Sequence, residues 1–327
     1  MRVLVTGSAG HLGEAIVRTL NNTNVEVTGL DIQASPFTTH VGSITDRSVV
    51  KKCMEGVNAV FHTATLHKPH VQTHSQQEFV DTNITGTLNL LQEAVSAGVE
   101  SFIFTSTTSI FGDALVPPPG QPAAWITEEV RPVPKNIYGV TKDAAESLCQ
   151  LYFRNEGLPC LILRTSRFFP EEDDNRTLRE AYSDSNLKAN EFLYRRVDVE
   201  DVVSAHLLAA QKAREIGFGI YIISATSPFQ YGDLAVLRED AVSIVKKLYP
   251  HFSEIYDHLG WKMFSSIDRV YVNELARAAL GWQPKYDFGS ILGRLRSGDG
   301  LQSPLAKMIG SKGYHTNAFS DGPYPVE

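Results

Sequence analysis

The sequence has few cysteines and no long apolar run. Its three cysteines, Cys53, Cys149 and Cys160, lie far apart and form no CxxC pair, so neither a disulfide framework nor a cysteine-based zinc site is predicted. No apolar segment approaches the roughly 20 residues that a membrane-spanning helix requires. Met1 leads directly into an apolar stretch, with no leader pattern before it. We therefore expect a soluble, cytoplasmic protein with reduced thiols and no membrane partner.

Basic residues are in deficit. The chain has 30 Lys and Arg against 37 Asp and Glu, which gives a formal net charge of −7, and the charges are spread along the chain rather than gathered in runs. Nucleic acids and anionic membrane surfaces are bound by basic patches or stripes, so neither partner is expected. With 43% hydrophobic residues over 327 positions, the chain can bury a large core.

Short β-branched runs alternate with segments of helical period in the first half of the chain, a pattern typical of a parallel sheet covered by helices. The predicted strands are 2–6, 25–30, 59–63, 101–106 and 160–164, and the predicted helices are 12–20, 46–54, 78–97 and 139–155. A proline-rich stretch at 117–134 predicts a long loop. Further on, the pattern predicts a strand at 219–223 and helices at 199–213, 231–248 and 273–280. The fold class is therefore α/β, a Rossmann-type doubly wound parallel sheet with a smaller C-terminal subdomain.

A glycine-rich loop follows the first predicted strand. In TGSAGHLG, the residues Gly7, Gly10 and Gly13 form a GxxGxxG pattern that opens a helix. Glycines at these positions permit a tight turn, a close approach of the backbone to a pyrophosphate, and close packing of helix on strand. Asp31 ends the second predicted strand, where a carboxylate accepts hydrogen bonds from ribose hydroxyls and repels a 2′-phosphate. No Arg or Lys occurs in the next fifteen residues, so the predicted cofactor is NAD.

Tyr138 and Lys142 occur in the segment YGVTK, and their spacing places both side chains on one face of a helix. An ammonium near a phenol stabilises the phenolate and lowers the pKa of the tyrosine. Tyr138 is then expected to exchange a proton with a substrate hydroxyl while hydride moves to or from a nicotinamide. The hydroxyl-rich segment STTSIFG follows the fourth predicted strand, at the edge of the sheet where ligands bind.

In order along the chain, TGSAGHLG, Asp31, NITGT around Asn83, STTSIFG and YGVTK resemble the extended short-chain dehydrogenase/reductase family, the group of NAD-dependent sugar epimerases and dehydratases. The resemblance resumes at VDVEDVVSAHLLA, GIYIISA and LGWQPKYDF. It implies that Thr107 is the active-site hydroxyl beside Tyr138 and Lys142, and that the protein is a homodimer. The residues expected to bind NAD are Gly7, Gly10, His11, Leu12, Gly13, Asp31, Ile32, Ser43, Ile44, Thr63, Ala64, Asn83, Thr105, Tyr138 and Lys142.

The chain departs from the family pattern in two places. Gly42 and Ser43 stand where the family usually has Gly-Asp, and the segment LRTSRFFP replaces LRxxNxxGP, with Arg167 in the asparagine position. The second segment, through Arg176, is also similar to LRxGSxxPEPxxxR of uronate dehydrogenases, which implies contact with a sugar acid. The residues expected to line the substrate groove are His67, Thr108, Ser109, Arg167 and Arg176.

Three side-chain groups have alternative interpretations. The arginines that follow the fifth strand suit an anion, but neighbouring carboxylates could neutralise them in ion pairs. His62, His67, His70 and His74 suggest a metal site, but no acidic or cysteine ligand accompanies them, and none is predicted. Asp198, Glu200 and Asp201 suggest acid/base chemistry, although carboxylates at a helix start are more often capping residues.

The sequence therefore predicts an NAD-dependent oxidoreductase or epimerase that acts on a hydroxyl of a sugar or nucleotide sugar. An NAD-dependent dehydrogenase of a small sugar acid is the alternative, and a non-catalytic NAD-binding protein is a third. The predicted organisation is an NAD-binding Rossmann domain over residues 1–165, a substrate-binding subdomain interleaved with it over 166–297, and a C-terminal tail over 298–327.

Overall fold

A seven-stranded sheet forms the centre of the protein, for which a computed structural model describes residues 1–313, 315 and 319. The strand order is β3-β2-β1-β4-β5-β7-β8 and every pairing is parallel. A second, two-stranded parallel sheet pairs β6 with β9. The strands are β1 (Arg2–Thr6), β2 (Glu26–Asp31), β3 (His40–Val41), β4 (Ala59–His62), β5 (Ser101–Thr107), β6 (Ala124–Ile126), β7 (Cys160–Thr165), β8 (Phe218–Ile223) and β9 (Arg269–Tyr271).

The α-helices of the described residues cover both faces of the main sheet and build a separate core in the C-terminal half. They are α1 (His11–Asn21), α2 (Arg47–Cys53), α3 (Gln76–Phe79), α4 (Gly86–Ala97), α5 (Ile137–Glu156), α6 (Arg176–Ala181), α7 (Asp184–Glu191), α8 (Val199–Ile216), α9 (Leu234–Glu239), α10 (Ala241–Leu248), α11 (Phe252–Leu259), α12 (Glu274–Leu280), α13 (Phe288–Ser297) and α14 (Pro304–Ile309). Among the described residues, no helix has the length and apolar composition needed to cross a bilayer.

The alternation of side chains along each strand builds two cores. In β1, Val3 and Val5 pack with α1 and α8 on one face of the sheet, whereas Leu4 packs with α2, α4 and α5 on the other. Successive side chains of a strand point to opposite faces, so a strand buried on both faces is apolar throughout. This arrangement confirms the predicted α/β class and doubly wound sheet.

The order of the strands also positions a crevice. β1 pairs with β2 on one side and with β4 on the other, so the chain winds outward from β1 to β2 and β3 and then crosses back to add β4 on the other side of β1. In open α/β sheets, ligands bind at such a switch point, outside the carboxyl ends of the strands. Thr6, His62 and Thr107 end three of the strands at this edge.

Two predicted helices are interrupted. The region predicted as one helix over 78–97 contains a π-helical segment, Val80–Thr85, between α3 and α4, and such widened turns are frequent at functional sites. The region predicted as a helix over 231–248 breaks at Asp240, which has a non-helical backbone and caps α10 by accepting a hydrogen bond from the Ser243 amide. Helical period, the signal used to predict both helices, does not indicate either interruption.

The C-terminal half both extends the main sheet and forms a core of its own. β8 is the edge strand of the main sheet, and α14 packs near α1 and α8 through Leu305 and Ile309. A separate cluster joins α7, α9, α10, α11 and α13 around Tyr256 and Phe288. Within the loop predicted over 117–134, β6 pairs with β9. The domain boundaries at 165 and 297 remain predictions, and part of the tail predicted over 298–327 lies outside the described residues.

Candidate active site

The glycine loop joins β1 to α1 at the switch point. Gly7 has a φ of +72°, and a Cβ there would lie 2.7 Å from the Ala64 nitrogen. A Cβ on Gly13 would lie 1.9 Å from the carbonyl oxygen of Gly7, so helix and loop approach each other in a way that only glycine allows. Gly10 precedes α1 without a side-chain cap, which leaves the positive end of the helix to an anion. This cradle fits the pyrophosphate of a dinucleotide.

Asp31 lies beside this loop, and its contact with the adenosine ribose stays a prediction. One carboxylate oxygen accepts a hydrogen bond from the Ala9 amide at 2.9 Å, and the other accepts one from the Gln33 amide at 2.9 Å. Two further residues expected to contact the cofactor, Ser43 and Ile44, follow β3. Ser43 and Thr45 share a hydrogen bond at 2.8 Å, whereas the Ile44 side chain is buried in the core. Ile44 can therefore offer a cofactor only its backbone.

The segment that follows β4 lies against the other side of the glycine loop. The Thr63 hydroxyl donates a hydrogen bond to the carbonyl oxygen of Thr6 at 2.7 Å, and the Ala64 amide donates one to the Thr6 hydroxyl at 3.2 Å. These bonds hold Thr63 and Ala64 against the backbone of Gly7. Both residues therefore lie against the glycine loop, and their contact with a cofactor stays a prediction.

Asn83 and Thr105 have structural partners that the sequence did not predict. The Asn83 side chain accepts hydrogen bonds from Thr65 and Leu66 and donates to Leu66 and Thr141, so it ties the loop after β4 to α5. The Thr105 hydroxyl lies 2.9 Å from Nε2 of His206. That side chain therefore points to α8 and not into the groove, because side chains alternate along β5.

The three candidate catalytic residues come from two elements. Thr107 ends β5, and Tyr138 and Lys142 lie in the first turns of α5, which begins after the Asn136 cap. Tyr138 is 8% exposed and Lys142 3% exposed. The Lys142 Nζ donates a hydrogen bond to the carbonyl oxygen of Thr105 at 2.6 Å. It also lies 4.0 Å from the centroid of the Phe104 ring, a cation–π contact.

Burial dominates the acid/base properties of this group. It raises the pKa of Tyr138 to about 12, against the opposing effect of a side-chain hydrogen bond with Thr107. Burial likewise lowers the pKa of Lys142 to about 7, although the Glu146 carboxylate acts to raise it. Burial therefore outweighs the interactions that would lower the pKa of Tyr138, and the Lys142 ammonium is directed to Thr105 and Phe104.

Histidines gather beside Tyr138. The ring centroid of His67 lies 6.4 Å from that of Tyr138 and 5.3 Å from that of Phe169, and the contact of His67 with a substrate stays a prediction. Burial lowers the pKa of His67 well below its ordinary value, and the neighbouring His70 lowers it further. Within the described part of the chain, no group of three or more His, Cys, Asp or Glu residues is arranged to hold a metal ion.

The remaining predicted substrate residues lie in different surroundings. Thr108 is buried, and the Ser109 amide donates a hydrogen bond to the Thr107 hydroxyl at 3.1 Å. Arg167 forms an ion pair with Asp173 at 2.7 Å. Arg176 begins α6, is 65% exposed, and pairs with Glu180 at 2.8 Å. An anion would therefore have to share or displace these carboxylates, and the anion-binding role of both arginines stays a prediction.

Sequence reasoning missed the role of Glu171. This carboxylate accepts hydrogen bonds from Nε2 of His11 at 2.9 Å, from the Ser311 hydroxyl at 2.8 Å and from the Lys312 amide at 3.0 Å. Burial alone would raise its pKa, but the hydrogen bond and charge of His11 lower it to about 2. Glu171 thereby ties the C-terminal segment to the start of α1, and nothing local in its acidic run indicates these partners.

A glycine cradle at the switch point, with Asp31 beside it and a Tyr–Lys pair at the end of β5, defines a Rossmann-type oxidoreductase site of the short-chain type. The model of the NAD dependent epimerase/dehydratase family matches residues 3–224. The chain belongs to that family, is an enzyme, and uses NAD as its cofactor.

Relatives of known sequence agree with this assignment. The low-salt glycan biosynthesis protein Agl12 of Haloferax volcanii is 25% identical, over 88% of this chain and 95% of its own length. A UDP-glucose 4-epimerase of Lactobacillus helveticus is 25% identical, over 88% and 93%. The uncharacterized protein y4nG of Sinorhizobium fredii is 31% identical, but over only 49% of this chain and 39% of that relative.

Solved structures share the fold over nearly the whole chain. The UDP-glucose 4-epimerase of Thermotoga maritima, solved with UDP-glucose, has a TM-score of 0.64 at 22% identity and covers 94% of this chain and 98% of its own. The UDP-glucuronic acid 4-epimerase of Bacillus cereus, solved with NAD, has a TM-score of 0.62 at 20% identity, with 94% and 96% covered.

Proposed function

We propose that this enzyme oxidises a hydroxyl-bearing carbon of a sugar or nucleotide sugar by reversible hydride transfer, and that it acts as an epimerase. The observation that carries the proposal is the meeting of Thr107, Tyr138 and Lys142 at the carboxyl end of β5, where the Thr107 side chain acts to lower the pKa of Tyr138 and Lys142 bonds the β5 backbone. The relatives named as UDP-glucose 4-epimerases support the sugar nucleotide class.

Each residue has a distinct proposed role. Tyr138 takes the proton of the substrate hydroxyl and returns it to the carbonyl oxygen in reverse, and Thr107 orients that oxygen by hydrogen bonding. Lys142 holds the nicotinamide ribose and, when protonated, stabilises the Tyr138 phenolate. NAD, when bound, supplies the hydride acceptor and donor. Because burial alone raises the pKa of Tyr138 to about 12, positive charge in the assembled complex is needed for the proton transfer.

The cofactor is proposed to lie along the switch point. Gly7, Gly10 and Gly13, with the amides that begin α1, would face the pyrophosphate, and Asp31 would accept hydrogen bonds from the adenosine ribose. Thr63 and Ala64 would line the other wall. We further propose that the enzyme is a homodimer, which sedimentation analysis would test.

A net dehydrogenase of a small sugar acid is the second candidate. Arg167 and Arg195 both pair with Asp173, at 2.7 and 3.2 Å. Asp173 precedes Asp174, and Asp174 in turn pairs with Lys68, the neighbour of His67. A carboxylate-bearing substrate that reached Arg167, Arg195 or Lys68 would have to share these cations with Asp173 and Asp174, and guanidinium and ammonium groups suit carboxylates.

One assay separates the two candidates. The purified protein is incubated with NAD and a panel of UDP-glucose, UDP-galactose, UDP-glucuronate, D-glucose and D-glucuronate, while NADH absorbance and sugar composition are followed together. Interconversion of a UDP-sugar without net NADH is expected for the epimerase, whereas net NADH from D-glucuronate establishes the dehydrogenase. Interconversion of no sugar, together with no NADH, would overturn the proposal.

The Tyr138→Phe variant tests the mechanism in either form. It removes the proton-exchanging hydroxyl and keeps the ring, so turnover is expected to fall by a factor of about 10² to 10⁴. NAD binding, followed by quenching of protein fluorescence, should be retained. Normal turnover by this variant would exclude Tyr138 as the acid/base residue.

A further inference from the structure

A buried ion pair lies one helical turn beyond Lys142. Glu146 on α5 and Arg164 on β7 are each 4% exposed. The Arg164 Nε donates hydrogen bonds to both carboxylate oxygens of Glu146, at 3.1 and 3.2 Å, and a terminal nitrogen of the guanidinium donates a third at 2.7 Å. The Ser106 hydroxyl donates to the same carboxylate at 2.5 Å. The carboxylate is therefore fixed in place by two side chains of the sheet.

The pairing of the strands puts this ion pair on the Lys142 side of the sheet. Ser106 and Arg164 are partners in the register of β5 and β7, so their side chains leave the sheet on the same face. Phe104, two residues before Ser106, shares that face, and its ring centroid lies 4.0 Å from the Lys142 Nζ. The ammonium and the Glu146 carboxylate therefore both lie between α5 and one face of the sheet.

Helix geometry brings the two charges near each other. Lys142 and Glu146 are four positions apart on α5, so they share a helix face with their Cβ atoms about 5 to 6 Å apart. The Cα–Cβ bonds of a helix tilt toward its N-terminus, so the Glu146 side chain leans toward Lys142, and that of Lys142 leans toward Tyr138. Tyr138, Lys142 and Glu146 thus form a column of three buried side chains.

Glu146 opposes the effect of burial on Lys142. Burial lowers the pKa of Lys142 to about 7, and the Glu146 carboxylate acts to raise it. Cys149 acts in the same direction, but burial raises the pKa of that thiol well above its ordinary value, so the thiol is uncharged near neutral pH. An amine with a pKa of about 7 is roughly half protonated at pH 7. Without the Glu146 charge, the protonated fraction of Lys142 would be smaller.

Other neighbours of Lys142 do not replace this negative charge. Tyr138 lies one turn earlier on α5, and burial raises its pKa to about 12. His62 ends β4 and His67 follows it, and the charge of Lys142 acts on both imidazoles. Burial lowers the pKa of both histidines well below the ordinary value. All three side chains are therefore uncharged near neutral pH.

We propose that Glu146 is a positioning residue for the Tyr138–Lys142 pair: its carboxylate, fixed by Arg164 and Ser106, keeps Lys142 in the ammonium form that stabilises the Tyr138 phenolate. The proposal rests on the proposed role of Lys142 in hydride transfer. The observation that carries it is the buried carboxylate held by the sheet one helical turn from the lysine. Glu146 acts through Lys142 and has no need to touch the substrate.

The protonation state of Lys142 can be measured in the free protein, without a substrate. Lysine labelled with ¹³C at Cε reports protonation of Nζ by NMR, and the Lys142 signal is assigned from its loss in Lys142→Met. In wild type this signal should titrate with a midpoint of about 7. In Glu146→Gln the midpoint should fall by about one pH unit or more, because an opposite charge is lost nearby. Glu146→Asp keeps the charge and should lie closer to wild type.

Two further variants separate the charge from the fold. Glu146→Gln leaves Arg164 buried without its partner, which destabilises a protein, whereas removal of both charges is often tolerated. The double variant Glu146→Gln with Arg164→Met should therefore unfold at a temperature close to that of wild type, while its Lys142 midpoint is still lowered. Asp143→Asn is the control. Asp143 is next to Lys142 in the chain, but adjacent helix residues do not face each other, so the midpoint should not move.

Kinetics test whether the charge serves turnover. Formation of UDP-galactose from UDP-glucose in the presence of NAD is followed as a function of pH. Because only the ammonium stabilises the phenolate, a midpoint about one unit lower should reduce kcat in Glu146→Gln about tenfold at pH 8 and about twofold at pH 6. The KM for UDP-glucose should be unchanged. A purely structural role would lower kcat equally at both pH values.

The outcomes separate this proposal from the proposed function. A Lys142 midpoint that is unchanged in Glu146→Gln or in the double variant would overturn the positioning role. A kcat that is unchanged, or that falls equally at both pH values, would also overturn it. Absence of UDP-glucose turnover by wild type would count against the epimerase, while the NMR titration would still decide the role of Glu146.

Discussion

The ammonium of Lys142 donates a hydrogen bond to the carbonyl oxygen of Thr105 at 2.6 Å. Lys142 is only 3% exposed, so this hydrogen bond is shielded from solvent. Burial lowers the pKa of Lys142 to about 7, from the value of 10.5 that an exposed lysine has. The folded protein therefore binds this proton less readily than the unfolded chain does, and an active-site cation is obtained at the expense of stability.

Replacement of Lys142 by methionine should therefore stabilise the free protein and abolish turnover. At and below about pH 7 the unfolded chain gains the full advantage of protonated lysine, and this advantage disappears as the pH rises toward about 10. Lys142→Met is expected to raise the free energy of unfolding by about 1 to 3 kcal/mol near pH 6 and by less near pH 9. Urea unfolding at both pH values measures the difference. A gain equal at both pH values, or a similar gain in Lys142→Arg, would contradict this account.

The glycine cradle predicts a contrast between two alanine substitutions. A Cβ on Gly13 would lie 1.9 Å from the Gly7 carbonyl oxygen, whereas a Cβ on Gly293, within α13, would meet nothing within 4 Å. Gly13→Ala should lower stability by about 2 kcal/mol or more, because packed backbone cannot move aside cheaply, and should abolish NAD binding. Gly293→Ala should raise stability by about 0.5 to 1 kcal/mol through helix propensity. Thermal unfolding and a binding titration measure both effects, and tolerance of alanine at Gly13 would argue against the close approach.

Glu171 should control the C-terminal segment. Its carboxylate accepts hydrogen bonds from the amides of Lys312 and Gly313 at 3.0 and 3.3 Å. In Glu171→Gln these bonds lose their ionic character, so hydrogen exchange at both amides should accelerate by about tenfold, as expected for the loss of roughly 1.4 kcal/mol. Exchange measured by mass spectrometry tests this, with Glu180→Gln at the surface as the control.

The same carboxylate predicts a pH dependence. Its pKa is lowered to about 2 from an ordinary 4.5, so its contribution to stability is fully present above about pH 4.5 and is lost as the pH falls toward 2. Wild-type exchange at Lys312 and Gly313 should therefore rise in acid, while that of Glu171→Gln should change less. Equal acid sensitivity in both proteins would assign the effect to other carboxylates.

Asp31 should determine the choice of cofactor. Its oxygens face the amides of Ala9 and Gln33, and its negative charge opposes a 2′-phosphate on the ribose. In Asp31→Ser the dissociation constant for NAD should rise about tenfold or more, and that for NADP should fall. Titration with both nucleotides tests this, and Asp113→Ser, at an exposed ion pair with Lys135, is the control. Unchanged selectivity would exclude Asp31 as the determinant.

Much of the fold could be predicted because its signals are local. β-Branched runs, helical period and the spacing of Gly7, Gly10 and Gly13 depend on residues close together in the chain, and the predicted strands lie within one or two residues of those found. The helix predicted over 78–97 was less accurate. Its π-helical segment contains Asn83, whose side chain bonds Leu66 and Thr141, and helical period carries no information about such partners.

By itself, the sequence determined the class of the protein: a parallel α/β sheet, a glycine loop for NAD, and a Tyr138–Lys142 pair on one helix face. Only the tertiary structure decided the direction of the Thr105 side chain toward His206, the bond between His11 and Glu171, and the meeting of His70 with His315. The physical reason is distance along the chain. Each of these contacts joins residues more than 100 positions apart, and it exists only because the strand order and packing of the sheet bring them together.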